Sequence, residues 1–266
     1  MKVRASAPGK LVVLGEYAVL TGAQALVMAV DRRCEVEIST HAGPRSRLHT
    51  CTPASQMIEF ELGQPSGLEL VDTVRFALRD MAADQPLRAV LDSSAFFAPD
   101  GNKLGLGSSA AVLTAFAGAL QAYDKKDISE LTLTRLIDLH RALQGGRGSG
   151  IDVAAALHGG LRTFQLDSDD QARIGSVRLP NSVGFAGIFA GKSAATSDFV
   201  ERFNDWRQTS PQRARQLLSE LASVSAAGCA ASGAEDAEAF LASVAEYGKL
   251  LDALGTALHC DVLTPE

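Results

Sequence analysis

Strand-like segments fill the first half of this chain and three long helical segments close it. That order, without strict alternation, predicts an α+β architecture. Two further observations bear on the class. At 266 residues with 46% hydrophobic side chains, the chain can bury a sizeable core in one large or two modest domains. A polar stretch, Asp167–Ala172, separates the two compositions and is taken as the boundary between a first domain, 1–168, and a second, 169–266.

In chain order, Val3–Val13 is apolar and strand-like. Ala25–Val30 and Cys34–Ser39 follow as strands with Asp31-Arg-Arg33 as a tight turn between them, and Met57–Leu62 adds another. Leu68–Ala82 has helical spacing, and Leu87–Asp92 reads as a strand. Beyond the loop-like Ala98-Pro-Asp-Gly-Asn102, a glycine-rich turn opens a helix that runs to Tyr123. Its many Ala and Leu and near absence of charge predict burial on most sides. Ser129–Leu143 is a second, amphipathic helix with Ser129 as its cap. A short helix begins at Asp152 and stops at Gly159 and Gly160. Leu161–Leu166 and Val183–Ala190 are predicted strands; the helices Ser197–Arg207, Pro211–Ala227 and Ala234–Leu258 complete the chain, with no internal repeat.

Composition excludes several classes of function. A net charge of −6 with no Lys/Arg cluster argues against nucleic acid. Cys34, Cys51, Cys229 and Cys260 lack paired spacing, which speaks against a disulfide framework or zinc site and for a reducing, cytoplasmic setting. The apolar run from Leu11 to Val30 is broken by Gly15, Glu16, Gly22 and Gln24, so it reads as core and not as a membrane span.

Three segments carry chemistry. Lys103-Leu-Gly-Leu-Gly-Ser-Ser-Ala110 has the makings of a phosphate site: Gly105 and Gly107 let the backbone bend and approach a ligand, the N–H groups of the following helix face it, and Lys103 adds positive charge. The same letters satisfy the dinucleotide fingerprint, but no buried strand directly precedes them, and a purely structural glycine turn is the other alternative. In Ala5–Leu20, Lys10 and Glu16 interrupt an apolar run; they either have buried partners or lie at exposed strand ends. In Gly145–Gly160, Asp152 stands alone among small apolar residues, as a helix cap or as a carboxylate near a substrate hydroxyl. A fourth candidate, Gly187–Ser193, misses the Walker A spacing by one residue because Ala186 occupies the first glycine position.

Taken in order, Pro8-Gly-Lys10 with Gly15-Glu-Tyr-Ala-Val19, Gly105-Leu-Gly-Ser-Ser-Ala110 and Gly148-Ser-Gly-Ile-Asp152 resemble the motifs of the GHMP kinase superfamily over residues 5 to about 160. Tyr17, Lys103, the Gln144–Ala155 stretch and Gly191–Ser197 lean toward its phosphomevalonate kinase branch. The resemblance implies a two-domain fold: a mixed-sheet N-terminal ATP-binding domain (1–168) and a helix-rich α/β sandwich on the substrate side (169–266). It also implies ATP with Mg2+ as cofactor and a small phosphorylated or hydroxylated acid as acceptor, and it leaves room for a homodimer. Lys10 and Asp152 take the catalytic positions. Lys103, Gly105, Leu106, Gly107, Ser108, Ser109 and Ala110 take the nucleotide positions, Ser109 also being a magnesium ligand. Glu16, Tyr17, Ser149, Gly150, Lys192, Ser193 and Thr196 take the substrate positions.

Two departures stand out. Arg141 sits eleven residues before Asp152, where mevalonate kinases carry a magnesium-binding Glu. The family's closing Gly-Ala-Gly-Gly motif has no counterpart, and Asp261–Glu266 reads as the approach to it, so the second domain is expected to be incomplete. The expected activity is phosphoryl transfer from ATP to 5-phosphomevalonate in the mevalonate route to isoprenoids. The alternatives are transfer to mevalonate itself and, from another class, a non-catalytic nucleotide-binding protein.

Overall fold

The computed structural model describes residues 1–79, 85–167, 169–191 and 196–260, with side chains described outside 196–201. By contact density the chain divides into two compact units, one made of Met1–Leu11 and Ala29–Gly160, the other of Val12–Met28 and Leu161–Glu266. Two strands, β1 (Lys2–Leu14) and β2 (Ala25–Thr40), contribute residues to both.

In the first unit the later part of β2 alternates cleanly, with Cys34, Val36 and Ile38 buried, which is the period of a strand with one face on a core. It pairs antiparallel with β5 (Leu87–Asp92), Glu35 opposite Asp92 and Thr40 opposite Leu87. On the far side of β5, β3 (Ser46–Cys51) lies parallel and pairs antiparallel with β4 (Gln56–Phe60), so the sheet is mixed. Four helices pack together in this unit: α1 (Glu69–Leu78), α2 (Ser108–Tyr123), α3 (Leu133–Leu143) and α4 (Ile151–His158). Ala110, Ala111, Leu113, Phe116, Ala117 and Leu120 of α2 are all buried, as its uncharged sequence predicts.

The second unit holds the start of β2, where Ala25 lies opposite Phe164 and Met28 opposite Leu161 of β6 (Leu161–Leu166), and β7 (Ala172–Val177), antiparallel to β6. Helices α5 (Thr196–Thr209), α6 (Pro211–Gly233) and α7 (Ala237–Leu258) follow. Leu14, Leu26, Phe203, Trp206, Leu221, Phe240 and Leu254 belong to one buried cluster. All four cysteines are free thiols, and burial pushes those of Cys34 and Cys229 up to about 12.

Several elements differ from the sequence expectations. Asp31-Arg-Arg33 makes no turn: β2 runs through it, the three side chains are exposed, and Arg33 donates to the hydroxyl and carbonyl oxygens of Ser6 on β1 at 3.1 Å each. Without Gly, Pro or Asn at its centre this segment has nothing to force a reversal. The second helix starts at Leu133, capped by the Thr132 hydroxyl accepting from Arg135 N–H, while Ser129 sits in a separate 3-10 turn, Ile128–Glu130. The other helix ends move by a few residues: α1 stops at Leu78, α6 reaches Gly233, and α7 begins after its Asp236 cap. β3 was not predicted, since it carries one large buried apolar side chain, Leu48. Val183–Ala190 is not a strand; Phe185 and Ile188 there are exposed. The partner of β6 is instead the more polar Ala172–Val177, and the polar residues leading into it form a hairpin turn in which Asp167 accepts from the N–H groups of Asp169 and Gln171 at 3.0 Å.

Candidate active site

Gly107 is the N-cap residue of α2, at φ 71° and ψ 37°, and supplies no side-chain cap. The first helical bond runs from Ala111 N–H to Gly107 carbonyl at 3.2 Å, so the N–H groups of Ser108, Ser109 and Ala110 stand ahead of it with no acceptor inside the helix. A helix N-terminus without a side-chain cap, on a rigidly buried shaft, suits a phosphate oxygen. The left-handed backbone at Gly107 is one that side chains rarely adopt, and a Cβ there would lie 3.0 Å from Lys10 Cγ, 3.1 Å from Lys10 Cε and 3.5 Å from Asp152 Oδ2. The loop backbone therefore lies directly against two of the sequence candidates.

Lys10 reaches the loop from β1. Its N–H donates to the Leu106 carbonyl at 2.9 Å, and its Nζ lies 3.1 Å from Asp152 Oδ1. Both side chains are largely withdrawn from solvent, 18% and 30% exposed, so the attraction is screened less than at an open surface. Asp152 is not a cap. It sits in the first turn of α4, whose N-cap is Gly150 at φ 83°. Gly150 is fixed twice, by that backbone and by Ile137, whose Cδ1 and Cγ1 would come within 2.6 Å of an added Cβ. Ser149 is buried beside it and its hydroxyl accepts from Ile151 N–H at 3.4 Å.

One residue of this site went unremarked in the sequence. His140 of α3 is buried, with its Nε2 3.2 Å from the hydroxyl of the exposed Ser109. Burial holds its imidazole below the usual histidine range, opposed by the negative charge of Asp152. The only sequence signal was its place on the helical stripe of Leu136 and Ile137. Its neighbour Arg141 donates from Nε to the Gly148 carbonyl at 3.0 Å, tying down the turn before α4. Among the described residues no group of three or more His, Cys, Asp or Glu could hold a metal ion. The Ser109 hydroxyl, exposed in the first turn of α2, is an oxygen of the kind a magnesium ion could take as a ligand there.

Other sequence candidates lie apart. Lys103 is exposed, bridging through its backbone to Phe97. Glu16 and Tyr17 belong to the second unit, where the Glu16 carbonyl accepts from the Tyr247 hydroxyl at 2.7 Å. The Tyr17 ring stands 5.5 Å from that of Phe203, and burial raises its phenol pKa. Lys192 and Ser193 lie outside the described residues, and so does the side chain of Thr196, the first residue of α5. No helix among the described residues is long and apolar enough to cross a membrane.

Residues 71–160 match the family model of the GHMP kinases N terminal domain. The chain is similar to a mevalonate kinase of Thermococcus sibiricus, 28% identical over 231 residues, covering 83% of this chain and 67% of that one. It is also 30% identical over 210 residues to a phosphomevalonate kinase of Saccharolobus solfataricus, covering 76% of this chain but only 61%, less than two thirds, of the relative. Among solved structures, Streptococcus pneumoniae phosphomevalonate kinase in complex with phosphomevalonate and AMPPNP superposes with a TM-score of 0.74 at 19% identity, over 96% of this chain and 81% of that chain, and so shares the two-domain fold. The matched family domain runs through the helices that carry the glycine loop, His140 and Asp152.

Proposed function

We propose that this chain is a mevalonate-pathway kinase that transfers the γ-phosphoryl group of ATP to 5-phosphomevalonate, giving 5-diphosphomevalonate and ADP. The observation that carries this reading is the convergence of Lys10, Asp152 and Gly107 at the N-terminus of α2. Relatives named mevalonate kinase and phosphomevalonate kinase both support a kinase of this pathway. The choice of acceptor rests on Tyr17 and on Gln144–Ala155, which lean to the phosphomevalonate branch.

In this mechanism the N–H groups of Ser108, Ser109 and Ala110 receive the nucleotide phosphates. The Lys10 ammonium neutralises charge that gathers between donor and acceptor, and Asp152 orients Lys10 or accepts a proton where the acceptor binds as its monoanion. Magnesium, when bound with the nucleotide, would add further charge neutralisation. The acceptor phosphate is already an anion and a competent nucleophile, so catalysis is chiefly positioning and electrostatics. Mevalonate as acceptor is the second reading, favoured by the proximity of the Asp152 carboxylate to the loop: an alcohol needs a base, and Asp152 would be it.

A coupled ADP-release assay with both acceptors decides the substrate, and Asp152→Asn decides the role of the carboxylate. With phosphomevalonate, turnover of the variant should recover from about pH 6 to 9 as the acceptor loses its second proton. With mevalonate no recovery is expected. A variant equally inactive across that range would overturn the anionic-nucleophile argument and favour either a base-dependent alcohol kinase or an Asp152 needed to hold Lys10 in place, and ADP release with neither acceptor would overturn the substrate assignment.

A further inference from the structure

We propose that His140 is a positioning residue for the nucleotide loop: its Nε2 receives the Ser109 hydroxyl proton, so that the Ser109 oxygen turns its lone pairs toward a cation carried by the nucleotide. This inference rests on the nucleotide-binding reading above and assigns a role to a residue outside the three motifs.

The geometry is local. Ser109 is the second residue of α2 and exposed at the loop, while His140 approaches from α3, is 5% exposed, and places Nε2 3.2 Å from the hydroxyl. A serine hydroxyl has one proton and two lone pairs. If the proton goes to His140, what Ser109 offers the ligand is an acceptor.

The site lacks acceptors and not donors. The N–H groups of Ser108, Ser109 and Ala110 precede the first helical bond of α2 and Lys10 lies against the same loop, so a further hydroxyl donor would add little. The nearby carboxylate, Asp152, is engaged at 3.1 Å with Lys10, and no three-residue acidic or histidine cluster exists among the described residues. A hard cation such as magnesium requires oxygen ligands. In the tautomer that carries its proton on Nδ1, the imidazole offers Nε2 as the acceptor, 3.2 Å from the Ser109 hydroxyl.

The test is calorimetric titration of the apo chain with ATP, once with excess magnesium and once with EDTA. His140→Leu is expected to lower affinity for Mg-ATP about tenfold, the scale of one lost polar contact, while affinity for metal-free ATP changes less than about twofold. His140→Gln, whose amide oxygen can accept at similar reach, should retain most of the magnesium-dependent affinity. Ser109→Ala tests the same contact without opening the core and should give the same metal-selective loss, with no further loss in the double variant. Equal losses with and without magnesium, or no loss in either variant, would overturn the proposal. A wild-type chain that binds ATP in neither condition would overturn the nucleotide-binding reading as well, a result distinct from any variant effect.

Discussion

Replacing Gly107 with Ala perturbs the loop at the point where backbone, Lys10 and Asp152 meet. At φ 71° and ψ 37° an L-residue is strained by about 1–2 kcal/mol. The added methyl would also stand 3.0 Å and 3.1 Å from Lys10 Cγ and Cε, inside the roughly 3.5–4.0 Å at which carbon atoms rest comfortably. Lys10 is flexible and can shift, so the contact itself relaxes, but the shift lengthens the 3.1 Å approach to Asp152, a partly screened pair whose loss is about 1 kcal/mol or less. A total near 2 kcal/mol should lower Tm by roughly 4–8 °C in a chain of this size. The effect on nucleotide should exceed the effect on stability, because the methyl occupies the approach to the Ser108–Ala110 N–H groups; at least about a tenfold loss of Mg-ATP affinity is expected by calorimetry. A variant that melts a few degrees lower yet binds Mg-ATP as tightly as the parent would show that the phosphates do not sit at this loop.

Lys10→Met should lower kcat about a hundredfold to a thousandfold while Mg-ATP affinity stays within a few-fold, since its charge is needed most where negative charge gathers during transfer; equal losses in binding and turnover would leave it a ground-state role only. Gly150→Ala combines a strained backbone at φ 83° with a Cβ 2.6 Å from buried Ile137, so thermal unfolding should reveal a loss of about 2–4 kcal/mol, larger than at Gly107, where the obstructing side chain can move. An unchanged melting temperature would contradict the packing of α3 against that turn. Glu37 on β2 is held below the usual carboxylate range by hydrogen bonds from Lys2 and Arg4 on β1. With its folded pKa depressed, it contributes stability above the unfolded value near 4.5 that is lost as pH falls through the folded pKa. Glu37→Gln should flatten the acid limb of the stability curve, and an identical limb would show that the pair is inert.

What could be read from the sequence was what the sequence holds locally. The glycine turn before an uncharged Ala/Leu helix was legible because both halves of the signal are contiguous, and the buried face of α2 follows from the same letters. Pairings were harder. β3 is a strand because β4 and β5 flank it, despite a mostly polar sequence, whereas the apolar Val183–Ala190 has no strand beside it among the described residues and forms none. Composition describes a segment's preference, and a sheet is made by its neighbours. The same limit applies to Lys10 and Asp152: their proximity could be inferred only through resemblance, because no local pattern connects β1 to the start of α4.

α3 illustrates the limit at the scale of one residue. By the resemblance to mevalonate kinases a carboxylate is expected where this chain has Arg141. Adjacent residues on a helix point about 100° apart, so Arg141 and His140 address different neighbours. Arg141 reaches the Gly148 carbonyl and braces the turn that leads to Asp152, while His140 turns inward to the Ser109 hydroxyl. The helix thus supplies a bound imidazole to the loop and a guanidinium to the backbone, and no carboxylate to either. On the reading proposed above, cation affinity gained through α3 passes through the oxygen that His140 orients, which is why the magnesium dependence of ATP binding, and not binding alone, is the quantity that tests it.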